Sequence, residues 1–240
     1  MGSSRFHDAV ESALRSKAGS LRSAEVDQLT LSAAASAGAT VVILDDDPTG
    51  TQTVTELPIV TRWQPDDLRW AFAQPGTGFC VLTNTRSLSE ADARTRNEDV
   101  ITAVHHAAAG RPYVIISRGD STLRGHHTAE LDVVARTLEA VGWGAVDAVL
   151  VVPAFPDAKR VTLQSVHWIY DNGHYLPAAE SSFAGDPTFG YHSSDLREFT
   201  EENSLGAHRA SAVQQITIAQ VRGPFTDLVD ALEAVSGGAH

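Results

Sequence analysis

Apolar residues cluster in four short runs, Thr40–Leu44, Phe79–Leu82, Tyr113–Ile116 and Ala148–Val152. Each run is rich in β-branched residues and almost free of polar positions, the pattern of a strand covered on both faces. Stretches with helical spacing separate them, at 65–73, 89–109 and 125–141. Strand alternating with helix predicts a parallel sheet of the α/β class. A different signal follows in "WIYDNGHYL", where Asn172-Gly173 between aromatic residues predicts a β-hairpin. A further strand is expected at Val213–Ile218 and a last helix from Pro224 to Val235. The Ala-rich stretch from Phe6 to Ser36, broken at Gly19-Ser20, reads as one or two helices. The expected architecture is a three-layer α/β domain with a mostly parallel sheet and a small β-hairpin over residues 39–240, preceded by a helical segment over 1–38.

In an open parallel sheet, ligands bind beyond the carboxyl ends of the strands. The segments that follow the four runs are "DDDPTGT", "TNTRSLS", "SRGDSTLRG" and "PAFPDAKRVT", all dense in polar residues, Gly and Pro. The first is the most unusual, because a buried strand runs straight into Asp45, Asp46 and Asp47. Adjacent carboxylates repel, and every tenfold rise in proton affinity that results costs the ionised form about 1.4 kcal/mol. As a site, they suit a hydroxyl proton, a polyol or a metal. The plain alternative is a solvated turn, with Asp47 bonding its own backbone ahead of Pro48. In the third segment, Ser121 or Thr122 is placed to cap a helix starting near Gly125, whose free N–H groups would face an anion. Arg118 and Arg124 flank Asp120 there, and an arginine grips a carboxylate through two parallel hydrogen bonds. The plain alternative is a capped helix with surface ion pairs. Arg86 follows the second strand toward the same end of the sheet.

Charge narrows the function classes. The net charge of -12 argues against nonspecific nucleic-acid or acidic-membrane binding. No apolar run approaches the roughly 18 residues of a membrane span, and the N-terminus has no signal-peptide core, so a cytoplasmic location is expected. The single cysteine, Cys80, sits in an apolar run and reads as a small core residue. His126 and His127 are adjacent, as are His105 and His106, so neither pair presents two ligands to one metal on a helix. His167 and His174 flank the hairpin and read as solvated turn residues. No HExxH, GxGxxG or GxxxxGK[ST] run exists, and neither lysine, Lys17 or Lys159, follows a phosphate loop.

Together these motifs resemble one family, the four-carbon acid sugar kinases, in its N-terminal substrate-binding domain. The Asp-Asp-x-Thr-Gly turn is similar to Asp46, Asp47, Thr49 and Gly50, and the strand-end arginine to Arg86. The Lys-x-Asp-Ser-Thr-Leu-Arg-Gly signature is similar to "RGDSTLRG", Arg118 to Gly125, with arginine in place of lysine. The Gly-Arg-x-Thr-x-x-Gly run reads here as "KRVTLQS", with Lys159 and Ser165 in place of glycines. The resemblance implies ATP-dependent phosphorylation of tetronates such as erythronate, threonate or 3-oxo-tetronate. It makes Asp46 and Asp47 the residues that orient hydroxyls. It makes Arg86, Arg118 and Arg124 candidates for the carboxylate, with Gly119, Asp120 and Ser121 completing the pocket. ATP and Mg²⁺ are implied for the complete enzyme, with the nucleotide bound by a C-terminal or separately encoded domain that nothing in this sequence resembles. The other expected partners are the sugar acid and a second copy in a homodimer. A rival reading takes Asp45-x-Asp47-x-Thr49 as the first motif of a haloacid-dehalogenase-type, Mg²⁺-dependent phosphatase, and a third takes the chain as a non-catalytic sugar-acid-binding module.

Overall fold

The structure is a computed structural model that describes residues 38–49 and 57–235. The expected N-terminal helices lie outside the described residues. The described chain divides into two compact units, one of residues 38–49, 57–120 and 125–145, the other of 121–124 and 146–235.

The first unit holds a four-stranded parallel sheet. Its strands are β1 (Thr40–Asp45), β2 (Ile59–Val60), β3 (Gly78–Leu82) and β4 (Tyr113–Arg118), in the order β2-β3-β1-β4. Three helices accompany it: α1 (Pro65–Phe72), α2 (Glu90–Ala108) and α3 (His127–Ala140). Three of the expected strands and all three helices of this stretch are present, with ends within two residues of the sequence reading. Val42 and Leu44 of β1 and Phe79, Cys80 and Val81 of β3 are buried, as are Leu68 of α1, Val100, Ile101 and Val104 of α2, and Val133 of α3. Chain entry into α2 is fixed by Ser89, whose hydroxyl accepts the Asp92 amide at 3.2 Å. Gly78 must be glycine, because a Cβ there would lie 2.1 Å from the Val41 carbonyl oxygen.

The second unit is built on a three-stranded antiparallel sheet, β5 (Arg160–Leu163), β6 (Val166–Asp171) and β7 (His174–Pro177), with α4 (Leu196–Asn203), α5 (Ile218–Arg222) and α6 (Phe225–Glu233). The expected hairpin is β6–β7. Asn172 and Gly173 have φ of 47° and 89°, the two left-handed positions of a tight hairpin turn. Its core gathers Leu123, Ile169, Ala178, Tyr191 and Phe199.

Two expected strands are absent. Residues 213–217 form no strand and lead into α5. Ala148–Val152 carries no strand ladder, and Leu150 and Val152 are 66% and 76% exposed. In the first unit, β4 has one neighbour in its sheet among the described residues and leaves Val114 and Ile116 exposed.

Candidate functional site at the strand ends

Register brings the charged residues of the first unit together. β1 and β4 run parallel with Asp45 opposite Arg118, so each strand's last residue meets the other's. Asp45 is fully buried, and Arg118 Nη1 donates to its Oδ1 at 2.9 Å. A buried carboxylate is tolerable only with such a partner. The Arg118 side chain stays 37% exposed, so the guanidinium spans from the buried aspartate to solvent.

Asp46 is the second buried carboxylate. Arg86 meets it with a two-pronged pair, Nε to Oδ2 at 2.9 Å and Nη2 to Oδ1 at 2.6 Å. The short 3₁₀ turn Thr85–Ser87 after β3 places Arg86 there, and the Arg86 amide bonds the Asp46 carbonyl at 3.2 Å. Burial pushes the Asp46 carboxyl above the usual range. The Arg86 hydrogen bond and charge oppose that rise, while the charges of Asp45 and Asp120 add to it. For Arg86, desolvation is outweighed by its bonds and charge contacts with Asp46, Asp120 and Asp47, so it stays firmly cationic. A Cβ at Gly125, which has φ of 123°, would come within 3.2 Å of Asp46 Oδ2, so that glycine leaves room for the carboxylate.

Asp47 differs from both. Its Oδ1 accepts the Thr49 amide at 2.8 Å and also the Thr49 hydroxyl, the turn geometry expected of Asp before Pro48. Its Oδ2 lies 3.4 Å from Arg86 Nη1, and the side chain is 26% exposed. Partial burial raises its pKa, but the Thr49 bonds and the charges of Arg86 and Arg118 outweigh it, holding the carboxyl below the usual range. Asp47 is thus an ionised acceptor at the surface of a charge cluster whose deeper members are spoken for. The same geometry weakens the phosphatase reading. Its nucleophile would be Asp45, which has no exposed surface and is held by Arg118.

Among the other expected residues, Asp120 lies within electrostatic reach of Asp46 and Arg86. Gly119 has an ordinary φ and open space where a Cβ would go, so neither backbone nor packing demands glycine. Cys80 is buried 4.0 Å from Asp45 Oδ2, and burial with that charge pushes its thiol up to about 12, so it stays a protonated core residue.

Ser121 and Arg124 belong to the second unit. The Ser121 hydroxyl accepts from Arg160 Nη1 at 2.6 Å, and its carbonyl accepts from His167 Nε2 at 2.8 Å. A carbonyl only accepts, so Nε2 carries a proton, and Nδ1 pairs with the Thr162 hydroxyl at 3.0 Å. His167 is fully buried, which corrects its reading as a solvated turn residue; His174 is the exposed one. Arg124 bonds the Thr122 hydroxyl at 3.0 Å, approaches Asp186 at 3.8 Å and lies over the Phe183 ring. The Tyr191 hydroxyl donates to the Thr122 carbonyl at 2.9 Å. Neither Ser121 nor Thr122 caps α3, whose cap position is His126 with no side-chain cap bond.

Residues outside the sequence expectations complete both clusters. Arg160 had a signal, since it is the arginine of the "KRVT" run. Its neighbours explain the glycines of the family pattern, because Lys159 and Ser165 both adopt left-handed φ, 54° and 65°. Glu130, in the first turn of α3, had none. It is 6% exposed, and its Oε1 has no hydrogen-bond partner among the described residues.

A family model described as a sugar-binding N-terminal domain matches residues 41–238. The chain belongs to this family of sugar-binding N-terminal domains. The assignment agrees with the resemblance to the substrate-binding domain of four-carbon acid sugar kinases. Solved structures share the fold of this sugar-binding domain. A Haemophilus influenzae protein superposes with a TM-score of 0.57 at 13% identity, over 80% of this chain and 45% of its own. A Salmonella typhimurium LT2 protein, described provisionally as a tRNA synthase, gives 0.57 at 17% identity, over 82% and 44%. A Bordetella bronchiseptica protein, described as a domain of unknown function with bound citrate in a domain-swapped dimer, gives 0.50 at 26% identity, over 68% and 40%. The match therefore spans less than half the length of each of these proteins. A comparison with curated proteins finds no match.

Among the described residues no group of three or more His, Cys, Asp or Glu is disposed to hold a metal ion. Asp45 and Asp46 are each engaged by an arginine, and Asp47 by Thr49 and Arg86. These residues do not fit a resident Mg²⁺. No helix among the described residues is long and apolar enough to cross a membrane.

Proposed function

We propose that this sugar-binding domain takes a four-carbon sugar acid, a tetronate such as erythronate, threonate or 3-oxo-tetronate, as the substrate half of an ATP-dependent kinase. One observation carries the reading. Arg118 is anchored on fully buried Asp45 while part of its side chain faces solvent, and the ionised, partly exposed Asp47 lies within reach of its charge. A cation beside an anion is what a polyhydroxy carboxylate requires. The guanidinium receives the carboxylate, and the aspartate accepts hydroxyl protons. Arg86 serves differently, fixing Asp46 so that its carboxylate has one orientation. The citrate named for the Bordetella protein supports a carboxylate ligand, and its description as a domain-swapped dimer supports self-association of this chain.

In the complete kinase, a substrate hydroxyl attacks the γ-phosphate of ATP, and catalysis rests on positioning and charge stabilisation. The domain's share is to hold that hydroxyl still. Thermal-shift titration with erythronate and threonate tests the binding claim, beside a coupled assay for ADP release. The expected result is stabilisation by a tetronate without ADP release from this chain. Release of ADP that depends on a tetronate would overturn the division of labour. No stabilisation by any sugar acid would overturn the ligand class.

A further inference from the structure

Two arginines of the second unit share one aromatic platform. The Arg124 and Arg160 guanidinium carbons lie 5.0 and 5.7 Å from the centre of the Phe183 ring. They are anchored on neighbouring residues, Arg160 Nη1 donating to the Ser121 hydroxyl at 2.6 Å and Arg124 Nε to the Thr122 hydroxyl at 3.0 Å. The platform is firmly held. Phe183 belongs to a 3₁₀ turn, Ser182–Gly185, and packs against the core of Leu123, Ile169, Ala178, Tyr191 and Phe199. Arg160 starts β5, and its backbone exchanges two hydrogen bonds with Phe155, at 2.8 and 3.0 Å.

Hydroxyls and a ring face hold a guanidinium without neutralising it. Arg160 forms no ion pair with a carboxylate among the described residues. Asp186 stands 3.8 Å from Arg124, beyond hydrogen-bond range, and its Oδ1 accepts the Thr188 and Phe189 amides at 2.9 and 3.0 Å. It offsets Arg124 and leaves the charge of Arg160 in place. Two like charges over one ring repel, and an anion bound to both removes that repulsion. The number of guanidiniums selects the anion. One saturates a carboxylate, whose two oxygens match its two parallel donors. Two call for a third oxygen and more charge, which a phosphate group supplies.

We propose that Arg124 and Arg160, seated on Phe183, form a second anion site that takes a phosphate group, free or esterified to a sugar acid. Arg124 is thereby given a phosphate rather than the carboxylate that the family resemblance implies. The phosphate class stands on this geometry; the sugar-acid source rests on the function proposed above.

The test follows the Arg124 and Arg160 Nε resonances of the ¹⁵N-labelled chain at pH 7 and constant ionic strength, as inorganic phosphate replaces chloride. Both are expected to shift saturably with one midpoint. Shifts that never saturate, or that acetate reproduces at the same concentrations, mean an adventitious ion only and overturn the site. Unequal midpoints overturn the shared pocket. Arg160→Gln is expected to weaken phosphate about tenfold or more, as loss of a charge-assisted bond does. Arg160→Lys, which keeps the charge but not the planar donors, is expected to recover part of that loss. Unchanged affinity in Arg160→Gln overturns the role of Arg160, and full affinity in Arg160→Lys overturns the two-guanidinium argument. If Arg160→Gln fails to fold, Arg160→Lys and the native midpoints decide. Erythronate bearing a terminal phosphate separates the sources. Binding tighter than that of inorganic phosphate, and weakened in Arg160→Gln, supports the ester; equal binding overturns the ester and leaves free phosphate as the ligand. Phosphate binding without stabilisation by any unphosphorylated sugar acid overturns the function proposed above and leaves this site standing.

Discussion

The two clusters solve the same problem with different chemistry. At the ends of β1, β3 and β4, polar residues are held by opposite charges, Asp45 to Arg118 and Asp46 to Arg86. In the segment Ser121–Arg124, the groups held are mainly neutral ones, backbone carbonyls bonded by His167 and Tyr191 and a hydroxyl bonded by Arg160, while the Arg124–Asp186 ion pair is long at 3.8 Å. The difference teaches where each cluster is fragile. A buried ion pair gains little over apolar packing, but losing one member strands the other charge. A neutral hydrogen bond lost leaves only one unsatisfied dipole. The charged cluster should therefore respond strongly, and with pH, while the neutral one should respond moderately and locally.

The largest effect is expected at Arg86. Arg86→Met strands Asp46, which is 4% exposed, and should cost about 3–5 kcal/mol at pH 7. Asp46 escapes by taking a proton, so the loss should shrink as the pH is lowered. Urea unfolding at pH 5 and 8 checks both points. Adding Asp46→Asn should recover part of the stability, because the stranded charge is gone. A double variant no better than the single would mean that packing, not charge, sets the cost.

Glu130 sharpens the charged side further. Its folded pKa, about 7, is raised from 4.5, so between those values the folded chain holds more protons than the unfolded one. Stability therefore falls as pH rises through this window, and the cost is complete above about pH 7. A tenfold change in proton affinity is worth about 1.4 kcal/mol, which makes the whole cost about 3 kcal/mol as an upper bound. Glu130→Gln should leave stability at pH 4 nearly unchanged and raise it by up to that amount at pH 8. Melting curves across that range that run parallel for both chains would contradict the burial argument.

Sequence patterning made the charged cluster legible and the neutral one largely not. Thr40–Asp45 is an apolar run whose next residues must lie at a strand end, and a parallel sheet places strand ends together. Ala148–Val152 has the same composition and yet no ladder, since a run's hydrophobicity says that it suits a strand, not that a neighbour is available. His167 was invisible for a related reason. Its partner, Ser121, is 46 residues away, and the contact depends on how β6 packs within its own unit. Glu130 reads as an ordinary helix-start acid, because only tertiary burial distinguishes it from an exposed one. Arg160 was within reach, since its run was already matched to a family pattern.

The neutral side of the comparison is broken at His167. His167→Leu leaves the Ser121 carbonyl and the Thr162 hydroxyl without their ring partner, at a cost of about 1–3 kcal/mol. Amide exchange should quicken across 121–124 while β1 keeps its protection. Equal loosening of both would show that the clusters are not separately held.

The smallest effect concerns backbone rather than charge. β5 and β6 are joined by Gln164 and Ser165, with φ of 51° and 65°, so both corners of this hairpin are left-handed. Such a turn matches the right-handed twist of its strands, but it forces Cβ against the following carbonyl in any L-residue other than glycine. Asn and Asp offset some of that strain through local bonds, and serine does so less well. Ser165 is also 8% exposed, so a substitution must fit a confined place, which loss of the side chain does without crowding. Against the relief stands the greater freedom that glycine gives the unfolded chain. Strain of roughly 1–2 kcal/mol less an entropy cost of about 0.5–1 kcal/mol leaves Ser165→Gly stabilising by up to about 1.5 kcal/mol, with a midpoint of about 0.75 kcal/mol. Because the turn carries no ionisable group, the gain should be the same at pH 6 and 8, unlike every change in the charged cluster. A loss of stability would mean that the Ser165 side chain contributes packing beyond the strain it imposes.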